Sequence, residues 1–137
     1  MTTEQNKTAA RHFIEASATA DEGRLEELLA PDFVAHQPTG PQDRRSFVQH
    51  LGEFLVSFSE SRFAVEEQIA EGNSVVTRAT WRAIHSGDFQ GVPATGKELA
   101  MHALFVTRIR DGKVMENRSL FDQFSMLQQL GLIPPAG

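Results

Sequence analysis

The amino-acid sequence predicts an α+β domain, with helical patterns first and strand patterns after them. The hydrophobic period changes from the helical 3.6 to the strand-like two near residue 62. Segregated elements of this kind predict a curved antiparallel sheet wrapped around three N-terminal helices. The result is a cone whose mouth opens between sheet and helices, a common shape for a ligand site.

Residues 3–19 read as an amphipathic helix, with Ala9, Ala10, Phe13, Ile14 and Ser17 on one stripe. A short helix over 22–29 turns Leu25, Leu28 and Leu29 inward. Asp32-Phe33-Val34-Ala35-His36 reads as a brief strand ended by Pro38. Phe47, Leu51, Phe54, Leu55 and Phe58 recur every three or four residues and predict a third helix over 43–58. Strands are expected at 62–70, 74–85, 98–110 and 113–124. Glu71-Gly72-Asn73 and Asp111-Gly112 are the hairpin turns, the second being the stronger signal. A last helical turn at 126–130 is stopped by Gly131, and a proline-rich tail follows.

A length of 137 residues fits one domain, taken as 1–137. Met1-Thr2-Thr3-Glu4-Gln5 has neither the basic start nor the apolar core of a signal peptide, and no apolar run is long enough for a membrane span. With no cysteine the chain has no disulfide, thiolate metal site or cysteine nucleophile, and the expected compartment is the cytoplasm. A net charge of −5 with scattered basic residues argues against nucleic acid as a partner. Ten Phe, one Trp and no Tyr supply contact area without polar handles, which suits the lining of a dry cavity.

The stretch Ile84-His85-Ser86-Gly87-Asp88-Phe89-Gln90-Gly91-Val92-Pro93-Ala94-Thr95-Gly96-Lys97 resembles the loop signature of the SnoaL-like polyketide cyclases of the NTF2-like superfamily. Asp111-Gly112-Lys113-Val114-Met115-Glu116, Arg118 through Asp122, Gln129-Leu130-Gly131 and Pro31 through His36 extend the similarity over most of the chain. The resemblance implies a cone fold, a pocket, homo-oligomers and no cofactor. It also implies ring closure of polyketide methyl esters by intramolecular aldol addition, with an aspartate after the last strand's tryptophan as base. Here Arg118 stands in the tryptophan's place and Ser119 in the aspartate's, while Asp122 matches a second carboxylate found in many relatives.

Read as chemistry, Asp122 lies among Leu120, Phe121 and Phe124, where desolvation would raise its pKa toward that of a general base; the bland alternative is a capping carboxylate. In a regular strand Arg118, Leu120 and Asp122 share one face and Ser119 and Phe121 the other, so both acid and serine reach a pocket only past a bulge or the strand's end. His102 alternates with Ala100, Leu104 and Val106, as a pocket base or a satisfied core histidine. His36 closes the first strand near the expected mouth, and His85 opens the signature loop, which it would either serve in binding or simply hold. His12 and His50, on helices beside polar neighbours, read as surface residues. Trp81 is a pocket wall or a core or interface anchor, with Arg78, Thr80 and Arg82 opposite it. Phe13, Phe33, Phe54 and Phe105 are the expected pocket wall, joined by Ser119. No H-x-H or H-x-x-x-H pair exists, so no metal is expected. The Gly-rich loop lacks phosphate-loop spacing.

The expectation is a cofactor-free protein that holds a small apolar cyclic carbonyl compound. Asp122, His102 or His36 would move a proton beside the carbonyl, as in a cyclase, isomerase or dehydratase. A non-catalytic binder and a dimerisation module are the alternatives. A homodimer through the outer face of the sheet is expected, because one face covers the helices and the other is left bare.

Overall fold

The structure is a computed structural model that describes residues 1–134, and the tail beyond Pro134 lies outside the described residues. Helix α1 (Thr3–Ser17) starts from a capping box: Thr2 Oγ1 accepts from Gln5 N–H, and Gln5 Oε1 accepts from Thr2 N–H. Its buried stripe is Asn6, Ala9, Ala10, Phe13, Ile14, Ala16 and Ser17, wider than expected by the polar Asn6 and by Ala16. Helix α2 (Glu22–Leu28), capped by Asp21, buries only Leu25. Strands β1 (Leu29–Gln37) and β2 (Gly40–Asp43) form a small antiparallel pair before helix α3 (Arg44–Leu55), whose N-cap is Asp43. The long meander follows: β3 (Phe58–Glu71), β4 (Ser74–His85), β5 (Glu98–Arg110) and β6 (Lys113–Phe121). Helix α4 (Gln123–Gln129) closes the order.

All six strands make one curved, open sheet in the order β2-β1-β6-β5-β4-β3. The expected four-stranded antiparallel sheet is thus extended by β1 and β2, and β1 joins β6 in parallel, with Val34 opposite Glu116 and His36 opposite Arg118. Register shifts between Ser59 and Arg62 and between Val65 and Glu67 interrupt the β3–β4 ladder. Bulges of this kind increase local bending and twist. The β5–β6 hairpin turns on Asp111 and Gly112, both at positive φ (51° and 80°), the pair of conformations that a type I′ turn requires.

Helix α3 stops at Leu55 rather than continuing to residue 58, and Phe58 opens β3 instead. The neighbouring loop explains the stop. The N–H groups of Ser86 and Gly87 both donate to the Ser57 carbonyl, at 3.0 and 3.1 Å. A Cβ on Gly87 would meet the Ser57 Cα and the Val56 carbonyl at 3.3 Å, so this approach favours glycine.

Two apolar clusters fill the cone. One joins α1, β1 and α3 through Phe13, Phe33 and Phe47, with ring centroids 5.3–6.2 Å apart. The other gathers Phe58, Trp81, Leu99, Met101, Met126 and Leu130 under α4. Gln129 pins that helix to β5, accepting from Ala100 N–H at 3.0 Å and donating to Ala100 O at 2.7 Å.

Candidate functional site

Between the two clusters lies an open cavity of about 500 Å³. Its wall is mostly aromatic: Phe13 from α1, Phe47 and Phe54 from α3, Phe63 and Trp81 from β3 and β4, and Phe105 from β5. Strand parity produces this wall, since Trp81, Met101, Phe105, Ser119 and Phe121 all occupy the concave face of their strands. Trp81 is both things the sequence allowed, a cavity wall and a core anchor. It is 2% exposed, it packs on Phe58 at 5.2 Å, and its indole N–H donates to Ser61 Oγ at 2.8 Å.

One polar line crosses this wall. The buried Thr107 hydroxyl donates to Asn117 Oδ1 at 3.1 Å, and Asn117 Nδ2 donates to Ser119 Oγ at 2.8 Å. Asn117 is 2% exposed and was not singled out from the sequence. An asparagine on a strand gives no signal until its partners are known. Because Ser119 Oγ already accepts from Asn117, its own O–H is left to donate to a group in the cavity.

Several residues expected at the site stand elsewhere. Asp122 is exposed and caps α4, its carboxylate accepting from Ser125 N–H at 3.1 Å; it follows the inward Phe121 on the outward parity of Leu120, and no bulge intervenes to turn it round. His102 is exposed on the convex face of β5, opposite Thr80. His36 also faces outward, because Phe33 and Ala35 take the inner face of β1. Phe33 is buried in the core beneath Phe13 and Phe47 and does not line the cavity. His85 is fully buried beside Phe58 and holds the signature loop: its Nδ1 accepts from Thr95 N–H at 3.2 Å, so the ring proton sits on Nε2, which has no protein partner. Phe13, Phe54, Phe105, Trp81 and Ser119 line the cavity. His50, read as a surface residue, is exposed yet lines the mouth. Among the described residues no group of three His, Cys, Asp or Glu side chains is arranged to hold a metal ion.

Outside the cone, His36 joins an ionic cluster. Glu116 accepts from His36 Nε2 at 2.8 Å, from Arg118 at 3.2 Å and from Arg108 at 3.5 Å. Burial works to raise the Glu116 pKa, but hydrogen bonds from His36 and Arg108, with the charges of Arg118 and His36, hold it below the ordinary value. A carboxylate with a lowered folded-state pKa stabilises the fold above its unfolded value, here 4.5, and that stabilisation is lost as pH falls through the folded value. In thermal scans from about pH 6 down to about pH 3, the Glu116→Gln variant is therefore expected to lose less Tm than the parent. Parallel curves would count against this reading of the cluster.

A six-stranded sheet curled around helices over one apolar cavity defines the NTF2-like class. The chain belongs to the SnoaL-like polyketide cyclase family, whose profile matches residues 7–130. It is 30% identical over 108 residues to aklanonic acid methyl ester cyclase DnrD of Streptomyces peucetius, covering 77% of this chain and 72% of that one. Nogalonic acid methyl ester cyclase of Streptomyces nogalater is 29% identical over 114 residues, covering 78% of this chain and 83% of the other. Among solved structures, IdmH of Streptomyces antibioticus superposes with a TM-score of 0.85 at 32% identity, covering 93% of this chain and 99% of IdmH. No helix of the described residues is long and apolar enough to cross a membrane.

Proposed function

We propose that this chain binds a small apolar cyclic carbonyl compound in its cavity and closes or rearranges a ring by cofactor-free acid–base catalysis in the cytoplasm. The polar line from Thr107 through Asn117 to Ser119 carries this reading. It brings one hydroxyl donor to a mostly aromatic wall, where a donor acts most strongly on the oxygen of a developing enolate. The similarity to two methyl ester cyclases supports ring closure as the reaction. Trp81 is the chain's single tryptophan and lines the cavity, so its emission reports occupancy. Titration with aklanonic acid methyl ester is expected to change that emission saturably and to give a cyclised product by chromatography. No change in emission and no product would refute the proposal.

A second reading, binding without turnover, is favoured by one observation: among the described residues no carboxylate lines the cavity. Saturable binding with no product would decide for it.

We also propose that a second copy covers the outer face of the sheet. Ile69, Val76 and Val106 adjoin across β3, β4 and β5, and Leu104 pairs with Leu120 across β5 and β6. Exposures of 63% for Ile69, 45% for Leu104 and 74% for Leu120 leave this stripe bare on a single chain. Its surroundings carry both signs, in Arg82 and in the Arg78–Glu67 and Arg62–Glu98 pairs, as a surface that meets itself across a two-fold axis requires. Sedimentation equilibrium at micromolar concentration is expected to give a dimer for the parent chain and a monomer for Leu104→Glu. A monomeric parent would refute the dimer.

A further inference from the structure

His50 is the one titratable side chain among the described residues that line the cavity. It sits on α3 three residues after Phe47 and four before Phe54, at the edge of the stripe these rings turn inward. Its Nδ1 accepts a hydrogen bond from Gln42 Nε2. Gln42 also lines the cavity, and its place is fixed by backbone pairing with Ala35, in the β2 strand that periodicity did not reveal. The ring is thus held by one nitrogen, and among the described residues the other has no protein partner. Resting on the function proposed above, we infer that His50, positioned by Gln42, moves the proton in this cavity in place of a carboxylate.

The partner's chemistry makes the pair bifunctional. While the Gln42 amide donates to Nδ1, the neutral ring carries its proton on Nε2 and offers a donor. With the amide turned over, Oε1 accepts from Nδ1–H and Nε2 becomes the base. A carboxylate in Gln42's place would accept only, and would hold the ring in the second state. In the forward step the C–H bond beside a carbonyl breaks and its proton goes to Nε2. The electron pair forms the enolate, whose oxygen takes the Ser119 hydroxyl's hydrogen bond. The enolate carbon then bonds to a second carbonyl carbon of the same molecule, and the alkoxide formed takes the proton back from Nε2. Atoms and charge balance with no added reactant.

Among the described residues no Asp, Glu, Lys or Arg shares this lining. The remaining polar groups there are Ser17 of α1, Gln37 and Thr39 around the end of β1, Asn117 and Ser119 of β6, and Gln123 of α4. Along α3 the charged neighbours Arg45 and Glu53 are exposed and outside the lining.

β-Tetralone, an enolisable cyclic ketone, tests this inference without knowledge of the natural substrate. In heavy water the parent protein is expected to accelerate deuterium uptake beside its carbonyl, and His50→Gln to lose about 100-fold or more of that acceleration. Long-range proton–nitrogen correlation spectra of His50 are expected to show Nδ1 unprotonated in the parent, Nδ1 protonated in Gln42→Glu, and averaged nitrogens in Gln42→Leu. Exchange and its pH profile unchanged in His50→Gln, or absent in the parent, while β-tetralone shifts the Trp81 indole resonance, would overturn the role of His50 and leave the cavity reading standing. A His50 spectrum unchanged in Gln42→Leu would overturn the positioning role. Absence of any shift at Trp81 up to the solubility of β-tetralone would overturn the cavity reading and this inference with it.

Discussion

Trp81→Ala is expected to destabilise the protein by about 3–5 kcal/mol, the range for emptying a buried large aromatic site. With urea m values of about 1–3 kcal/mol/M, the unfolding midpoint falls by roughly 1 M or more. The indole is 2% exposed, lies 5.2 Å from the Phe58 ring and 5.9 Å from Phe54, and its N–H is satisfied by Ser61. Truncation removes these contacts and merges the new void with a cavity of about 500 Å³ already present on one side. Neighbours that border open space cannot collapse inward as a closed core does, so little of the loss is recovered by relaxation. The same change enlarges the binding space, so ligand affinity is expected to fall together with stability. Trp81→Phe keeps most of the packing and leaves Ser61 without its donor, a smaller effect. A midpoint unchanged in Trp81→Ala would mean that the indole is not packed as described.

Phe33→Ala is expected to cost a similar amount, about 3–5 kcal/mol, with a different signature. Phe33 is 1% exposed, edge-on to Phe47 at 5.3 Å and tilted against Phe13 at 6.2 Å. It does not line the cavity, but it backs two rings that do. Denaturant unfolding is expected to show the large loss, while binding by the folded fraction, read by titration calorimetry in both variants, changes far less than in Trp81→Ala. An affinity loss as large as that of the tryptophan variant would place Phe33 in contact with the ligand after all.

The contrast between these positions shows what the sequence made legible. Strands whose alternation stands alone were readable to the residue: 74–85 and 98–110 are the observed Ser74–His85 and Glu98–Arg110. Gly40-Pro41-Gln42-Asp43 has no apolar alternation and is a strand only because β1 supplies its backbone partners, so it was missed. Missing it hid the partner of His50, and a lone helical histidine beside Gln49 carries no signal of its own. Strand β5 is apolar on both faces: Leu99, Met101, Ala103 and Phe105 face in, while Ala100, Leu104 and Val106 face out around His102. An apolar set of neighbours therefore could not tell which face was concave, and the imidazole was assigned to the wrong side. Ser119 was readable as soon as Phe121 was taken to face inward, because the two share a parity.

The parallel joint between β1 and β6 also sets the order in which the chain must organise itself. Val34 finds Glu116 only after the whole meander has been made, so the helical half stays unclosed until residues 113–121 exist. The meander is built from neighbouring hairpins and carries small loop-closure entropy, whereas this last joint spans most of the chain. During synthesis the β3–β5 hairpins can pair as soon as they emerge, while β1 has only β2 as a strand partner until β6 follows. Chains released before the final strand emerges leave the far edge of β1 unpaired, and that open edge is where they would aggregate.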